Sequence, residues 1–355
     1  MSAINRPITR RAFLGAAAGA AAVLAGCGSY ENAAGSSSGD AASGGAAGGE
    51  SSGDVTKLNF CLDFSPNTNH TGVYVAQAKG YFADEGLEVQ ILEPGDTPAE
   101  QVIGSGEAQF GQSFQDYIAN ALSSSNPIPV TAIAAVIQHN TSGIMSLKEA
   151  GITRPAELAG HSYGTWNLPV EQAIMKAVVT EDGGNWDQVT LVPNETDDYL
   201  AGMQAGMFDA AWSYEGWEVQ EAVERGIDVS YWDFKSIDPV FDYYTPVIAG
   251  NNDFMAQNPD VTKAFLRAVK RGYEFAAQSP DEAAQVLLDA VPELDEGLTK
   301  RSAQFLADKY IDDASSWGVI DGERWSRFYK WLNDEGLVEN PLDENAGWTA
   351  DYLEA

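Results

Sequence analysis

LDFSPNTNHTGVYVAQAKGYF, residues 62–82, decides how this chain is read. Leading into it, Leu58, Phe60, Leu62 and Phe64 alternate with Asn59, Cys61, Asp63 and Ser65, the period of two that marks a half-buried strand. Ser65-Pro66-Asn67 breaks the strand, because proline has no N–H to donate and holds φ fixed. Asn67, Thr68, Asn69, His70 and Thr71 follow, and Val73, Tyr74, Ala76 and Ala78 then read as a short helix that stops near Gly80. The product is a strand, a polar turn and a helix N-terminus. In α/β proteins small ligands sit at such corners, outside the carboxyl ends of strands. Asn and Thr there serve equally well as ordinary helix caps, and on physics alone that plainer role suffices.

Outward from this corner, strands and helices alternate. Strands are expected at Leu87 to Leu92, Ala108 to Gly111 and Pro129 to Gln138, with helices between them. Gln112, Ser113, Phe114 and Gln115 fall at the carboxyl end of the third strand, and His139, Asn140, Thr141 and Ser142 at the end of the fourth. A second unit repeats the pattern from Thr153. It has strands at Ser162 to Gly164, Val189 to Val192, Phe208 to Trp212 and Val229 to Phe234, and Pro169 opens a helix. Thr245 to Ala249 reads as a return crossing, and the chain is helical from Asn258, with Glu339 to Ala355 as a surface tail. This βαβα order implies an α/β fold with a parallel-rich sheet in each of two lobes. The lobes are expected at 55–152 plus 246–355, and at 153–245, with a ligand cleft between them and two crossings acting as a hinge.

At 355 residues the chain is long enough for two cores. Asp and Glu total 52 against 20 Lys and Arg, a net charge of −32. Such a surface repels nucleic acid and anionic membranes, and it disfavours a multiply phosphorylated ligand. Adaptation to salt, or solubility, accounts for the acidity without any functional role.

Residues 1–27 read as an export signal: Arg6, Arg10 and Arg11 precede an apolar run from Phe13 to Ala25. Leu24-Ala25-Gly26-Cys27 resembles the lipobox of bacterial lipoproteins, so Cys27 is the expected lipidation site. Thr9 to Leu14 resembles a twin-arginine motif, which leaves the Tat and Sec routes both open. Residues 28–54, rich in Gly, Ala and Ser, read as a tether. The expected location is the extracytoplasmic face of the cell membrane, held by the lipid. Cys61, the other cysteine, has no disulfide partner and no metal-ligand spacing, and reads as a buried thiol.

The string LDFSPNTNHTGVYVAQAKGYFADEGLEV, residues 62–89, resembles the first strand and helix of the SsuA/ThiY-like periplasmic binding proteins, receptors of ABC importers. FGQSFQDY (110–117), IQHNTSG (137–143), SYGTWNLPVE (162–171) and WSYEGWE (212–218) resemble stretches of the same family. The resemblance implies the two-lobed type II periplasmic-binding-protein fold, an ABC permease as partner and a small heteroaromatic ligand. It implies a monomer with no cofactor and no metal. Among the ligands it implies are aminopyrimidine precursors of thiamine. It also implies an acidic residue facing the ligand at Glu171 and aromatics after the strand at Trp212.

Candidate site residues follow from the strand ends. Trp166, Trp212, Tyr214 and Trp217 offer aromatic faces, Glu171 and Glu215 carboxylates. Asp63, Asn67, Asn69, His70, Gln112, Ser113, Gln115, Gln138 and His139 offer hydrogen bonds from the first lobe. A flat aminopyrimidine needs stacking together with donors and acceptors in one plane. Each residue also has a purely structural role open to it, packing for the Trp residues and helix-dipole complement for the Glu residues.

With three His residues and no HExxH, P-loop or CxxC, the sequence offers little to an enzyme. The resemblance extends to fungal pyrimidine synthases, which carry a Lys and a His after the corresponding strand end and a later cysteine cluster. Gly111 to Tyr117 here offers Ser113 and Tyr117 instead. Riboflavin, and an alkylsulfonate or nitrate, remain as alternative ligands. An anion requires a basic pocket, and no Arg or Lys is among the candidates.

Overall fold

The structure, a computed structural model, describes residues 55–354 apart from Pro94, Asp96, Glu195 and Asp197. The expected signal, lipidation site and tether lie outside the described residues. Ten strands are present among the described residues: β1 (Thr56–Cys61), β2 (Leu87–Leu92), β3 (Phe110–Ser113), β4 (Val130–Ala135), β5 (Ser142–Leu147), β6 (Ser162–Thr165), β7 (Thr190–Pro193), β8 (Ala210–Tyr214), β9 (Val229–Asp233) and β10 (Val247–Asn251). They form two five-stranded sheets, ordered β2-β1-β3-β10-β4 and β7-β6-β8-β5-β9. Each sheet holds one antiparallel strand, β10 in the first and β5 in the second, while β1 pairs in parallel with β2 and β3, and β6 with β7 and β8. The expected two-lobed, parallel-rich α/β arrangement is therefore present.

The lobe boundary moves. Ser142–Leu147, read from the sequence as first-lobe chain, is β5, an interior strand of the second sheet between β8 and β9, so the crossing occupies 136–141 and not the neighbourhood of Thr153. The strand gave no alternating signal because both its faces are buried. Gly143 is required there, since a Cβ would stand 2.2 Å from the Trp232 carbonyl oxygen. The return crossing similarly contributes more than a link: after the cis Thr245–Pro246 bond, Val247–Asn251 is the buried strand β10, between β3 and β4.

The C-terminal tail is not a loose surface segment. The Ala132 N–H donates to the Gly347 carbonyl (2.8 Å) and the Thr349 N–H to the Ala132 carbonyl (2.9 Å). This covers the otherwise open edge of β4, a common way to blunt a sheet edge.

The first sheet is backed by the Pro259–Gln278 helix, whose Phe265 stacks on Phe110 at 4.1 Å between centroids. That helix meets the Thr71–Ala78 helix at two glycines. A Cβ on Gly272 would stand 1.9 Å from the Gly72 carbonyl oxygen, and one on Gly72 2.3 Å from the Tyr273 ring. The backbones thus touch where the opening stretch of sequence becomes a helix. Gly272→Ala is expected to destabilise the fold by about 3 kcal/mol or more through overpacking. A urea titration checks this, and an unchanged midpoint would show that the two helices separate without cost.

Candidate functional site

The opening stretch builds one wall of a cleft. β1 ends at Cys61 and Asp63 follows it. The Asn67 side chain accepts from the Asn69 N–H (2.9 Å), and His70 Nδ1 accepts from the Asn67 N–H (3.1 Å). With Nδ1 an acceptor, Nε2 carries the proton and donates to Asp63 Oδ1 at 2.6 Å. Gln112 Nε2 donates to the same oxygen at 3.2 Å. His70 and Gln112 are wholly buried, so they aim Asp63 from behind and do not themselves reach the cleft.

Between the lobes lies a cavity of about 460 Å³. Of the residues read from the sequence, Asp63, Asn67, Asn69, Trp166, Glu171, Trp212, Tyr214 and Trp217 line it. The others are turned to structural tasks. Ser113 donates to the buried Glu100 carboxylate. Gln115 spans two elements, donating to the Trp325 carbonyl (2.8 Å) and accepting from the Tyr244 N–H (2.9 Å). Gln138 donates to the Val319 carbonyl (3.1 Å). His139 pairs with Asp242 (2.7 Å) and Asp313 (3.3 Å) away from the cavity. Glu215 opens a π turn, Glu215–Val219, and its backbone N–H bonds the Thr141 carbonyl (2.9 Å); its side chain does not line the cavity.

Glu171 lines the cavity but is already engaged. Its oxygens accept from Tyr163 OH (2.7 Å), Thr165 Oγ1 (3.0 Å), the Trp166 N–H (3.1 Å to each oxygen) and the Leu168 N–H (3.2 Å). A carboxylate has about four lone-pair sites, and this loop fills them. Asn167, at φ 61°, turns the chain sharply enough for these donors to converge. The expected ligand-facing acid is in this structure the anchor of its own loop.

The aromatic lining of the cavity includes Trp166, Trp212, Tyr214 and Trp217, with Phe64, Phe114, Tyr117, Tyr199 and Tyr243 beside them. Trp166 lies 5.7 Å from Trp212 at 45°, and Trp212 packs on Phe234 at 4.2 Å, with its indole N–H buried and unpartnered among the described residues. Phe114 meets Tyr117 edge-on at 5.2 Å. Phe64, Tyr117 and Leu168 line the cavity while 55%, 37% and 38% exposed, an apolar mouth open to solvent. Tyr199, Tyr243 and Thr245 complete the wall and had no local sequence signal.

Sequence reasoning missed two acids. Asp116 follows Gln115 in the first turn of the Gln115–Ser123 helix, and Glu218 sits in the π turn; both line the cavity. Burial pushes the Asp116 carboxyl up to about 7, with the Glu100 charge adding to it, and burial pushes Glu218 up to about 7 as well. The FGQSFQDY string held the first, one residue beyond those chosen. The site as a whole is an aromatic slot with acids on both lobes and no Lys or Arg among the described lining residues.

Residues 67–283 match the family model described as NMT1/THI5 like. The chain belongs to the NMT1/THI5-like family. It is 32% identical over 288 residues to the formylaminopyrimidine-binding protein of Halalkalibacterium halodurans, covering 79% of this chain and 86% of that protein. It is 26% identical over 326 residues to the 4-amino-5-hydroxymethyl-2-methylpyrimidine phosphate synthase of Aspergillus parasiticus, covering 83% and 89%. In fold it matches the periplasmic aliphatic sulphonate binding protein SsuA of Escherichia coli, with a TM-score of 0.65 at 12% identity over 84% of this chain and 99% of that one. The alkanesulfonate-binding protein SsuA of Xanthomonas axonopodis gives the same TM-score at 9% identity, with the same coverage. The chain is thus similar to proteins named for binding and to proteins named for synthesis, and it has the fold of SsuA-type binding proteins.

Proposed function

We propose that the chain is an extracytoplasmic substrate-binding receptor of an ABC importer that captures an aminopyrimidine precursor of thiamine. The observation that carries this is the aromatic, acid-lined cavity between the two lobes, in a chain 32% identical to a formylaminopyrimidine-binding protein. Trp166 and its neighbours supply faces for a flat ring, and the acids and Asn residues supply partners for its amine and ring nitrogens. A sulfonate or nitrate finds no cation in this lining, although the SsuA proteins share the fold.

Binding without chemistry is the reading that the 111–117 stretch supports. Ser113, in the segment where the resemblance puts reactive residues of the synthases, is buried with its hydroxyl spent on Glu100. Cys27 would carry the lipid, and the two crossings, 136–141 and 234–246, would serve as the hinge about which the lobes close. The Cys27 anchor, the hinge and the permease partner belong to this proposal.

Calorimetry with 4-amino-5-formylaminomethyl-2-methylpyrimidine, its hydroxymethyl analogue, riboflavin and an alkanesulfonate tests the reading. The two pyrimidines are expected to bind best. Trp166→Ala is expected to weaken them about tenfold through lost stacking and area. Tighter binding of riboflavin or of the sulfonate would sink the assignment.

A further inference from the structure

Three carboxyl groups not claimed by the Glu171 loop reach the cavity from separate elements: Asp63 after β1, Asp116 in its helix and Glu218 in the π turn. Asp63 already holds His70 and Gln112. Glu218 accepts only backbone bonds, from the Tyr214 N–H at 2.8 Å through Oε2 and from its own N–H, among the described residues. Among the described residues Asp116 has no side-chain hydrogen-bond partner, only backbone N–H groups at the start of its helix.

The titratable groups around these two acids are acids and phenols. Glu100, Tyr117, Tyr214, Tyr243 and Tyr329 feel or share the field of Asp116. Glu221, Tyr214 and Tyr231 surround Glu218. Tyr117, at the mouth, senses Asp116, Glu100, Asp63 and Glu171 together. Both acids are half-buried in the cavity wall, with no Lys or Arg among the described lining residues. A carboxylate partly withdrawn from water with no counter-ion beside it bears a desolvation cost that a bound cation relieves and a neutral molecule does not. The aromatic faces favour the same charge through their quadrupoles.

We propose that the cavity selects its planar ligand as a cation, with Asp116 and Glu218, one from each lobe, as the charge-selecting residues. This rests on the receptor function above and narrows its ligand to the protonated ring. In a 4-aminopyrimidine, a protonated ring nitrogen next to the amine-bearing carbon sets two N–H donors side by side. That edge matches the two oxygens of a carboxylate.

The test uses benzamidinium and benzamide, planar isosteres that differ in charge, titrated into the full chain by calorimetry. At pH 8 benzamidinium is expected to bind about tenfold tighter or better. The preference should shrink as pH falls through about 7, where both acids take up protons. Asp116→Asn and Glu218→Gln should each cut the pH 8 preference several-fold. Equal binding at pH 8, no binding of benzamidinium at millimolar concentration, or an intact preference in both variants overturns the proposal. The formylaminopyrimidine is run in parallel. If it fails to bind while the benzamidinium preference stands, the receptor reading falls alone. If it binds both variants as tightly as wild type, charge selection falls alone.

Discussion

Asp116→Asn is expected to make the ligand-free protein more stable at pH 8, by about 2 kcal/mol, and to change little at pH 4. The Asp116 carboxyl is raised from an ordinary 3.8 to about 7 in the folded state. A raised acid holds its proton in the native chain and loses it in the unfolded one across that window, so stability falls as pH rises from about 4 to about 7 and stays low above it. At 1.36 kcal/mol per unit the shift sets an upper bound of about 4 kcal/mol, which we halve for solvent reaching the group through the cavity and for the loss of its favourable place at a helix N-terminus. Thermal melts of wild type and variant at the two pH values decide it. The surface acids contribute equally to both proteins, so the difference isolates Asp116. A variant no more stable than wild type at pH 8 would mean that the native carboxylate is well solvated. If the variant is stabilised and also loses its preference for cations, the residue trades stability for binding.

Removal of the Glu171 carboxylate should have the opposite sign and a larger size. Glu171→Ala leaves Tyr163 OH, Thr165 Oγ1 and two backbone N–H groups without their acceptor, and Tyr163 and Thr165 are wholly buried. Each orphaned buried donor costs roughly 1–3 kcal/mol, part of which the loop recovers by moving, so a net loss of about 4 kcal/mol is expected. Glu171→Gln should be damaging too, since its amide turns a donor toward donors. Urea unfolding measures both. Should Glu171→Gln keep its midpoint and yet lose ligand affinity tenfold, the sequence-level role of Glu171 as a direct ligand acceptor would be restored.

What could be read from the sequence was whatever the local pattern determines. Period-two alternation into Pro66 placed β1 and its turn, and the carboxyl ends of strands supplied Asp63, Trp166 and Trp212. Side-chain direction was not legible where a distant segment sets it. Gln115 is claimed by Trp325 and Tyr244, Gln138 by Val319 and His139 by Asp242, all at least a hundred residues away. No local signal tells a site amide from a strut. The resemblance placed an acid at position 171, but only the loop geometry showed that its lone pairs were filled. Glu218 was hidden by the π turn, whose extra residue per turn displaces side chains from helical spacing. The β5 and β10 strands escaped for a related reason: buried on both faces, they carry no alternation.

The position of β10 has a consequence for how the molecule comes into being. β3 and β4 are not neighbours; β10 lies between them and bonds to both. Until residue 251 has been made and delivered, residues 56–135 have a half-sheet of three strands and a stray fourth. The second sheet, by contrast, is drawn wholly from 142–233 and needs nothing downstream to close. The middle of the chain can therefore finish before its beginning, and the long loop closure needed for β10 to join the first sheet makes that step the slow one. During synthesis, the exposed edges of β3 and β4 are open to mispairing.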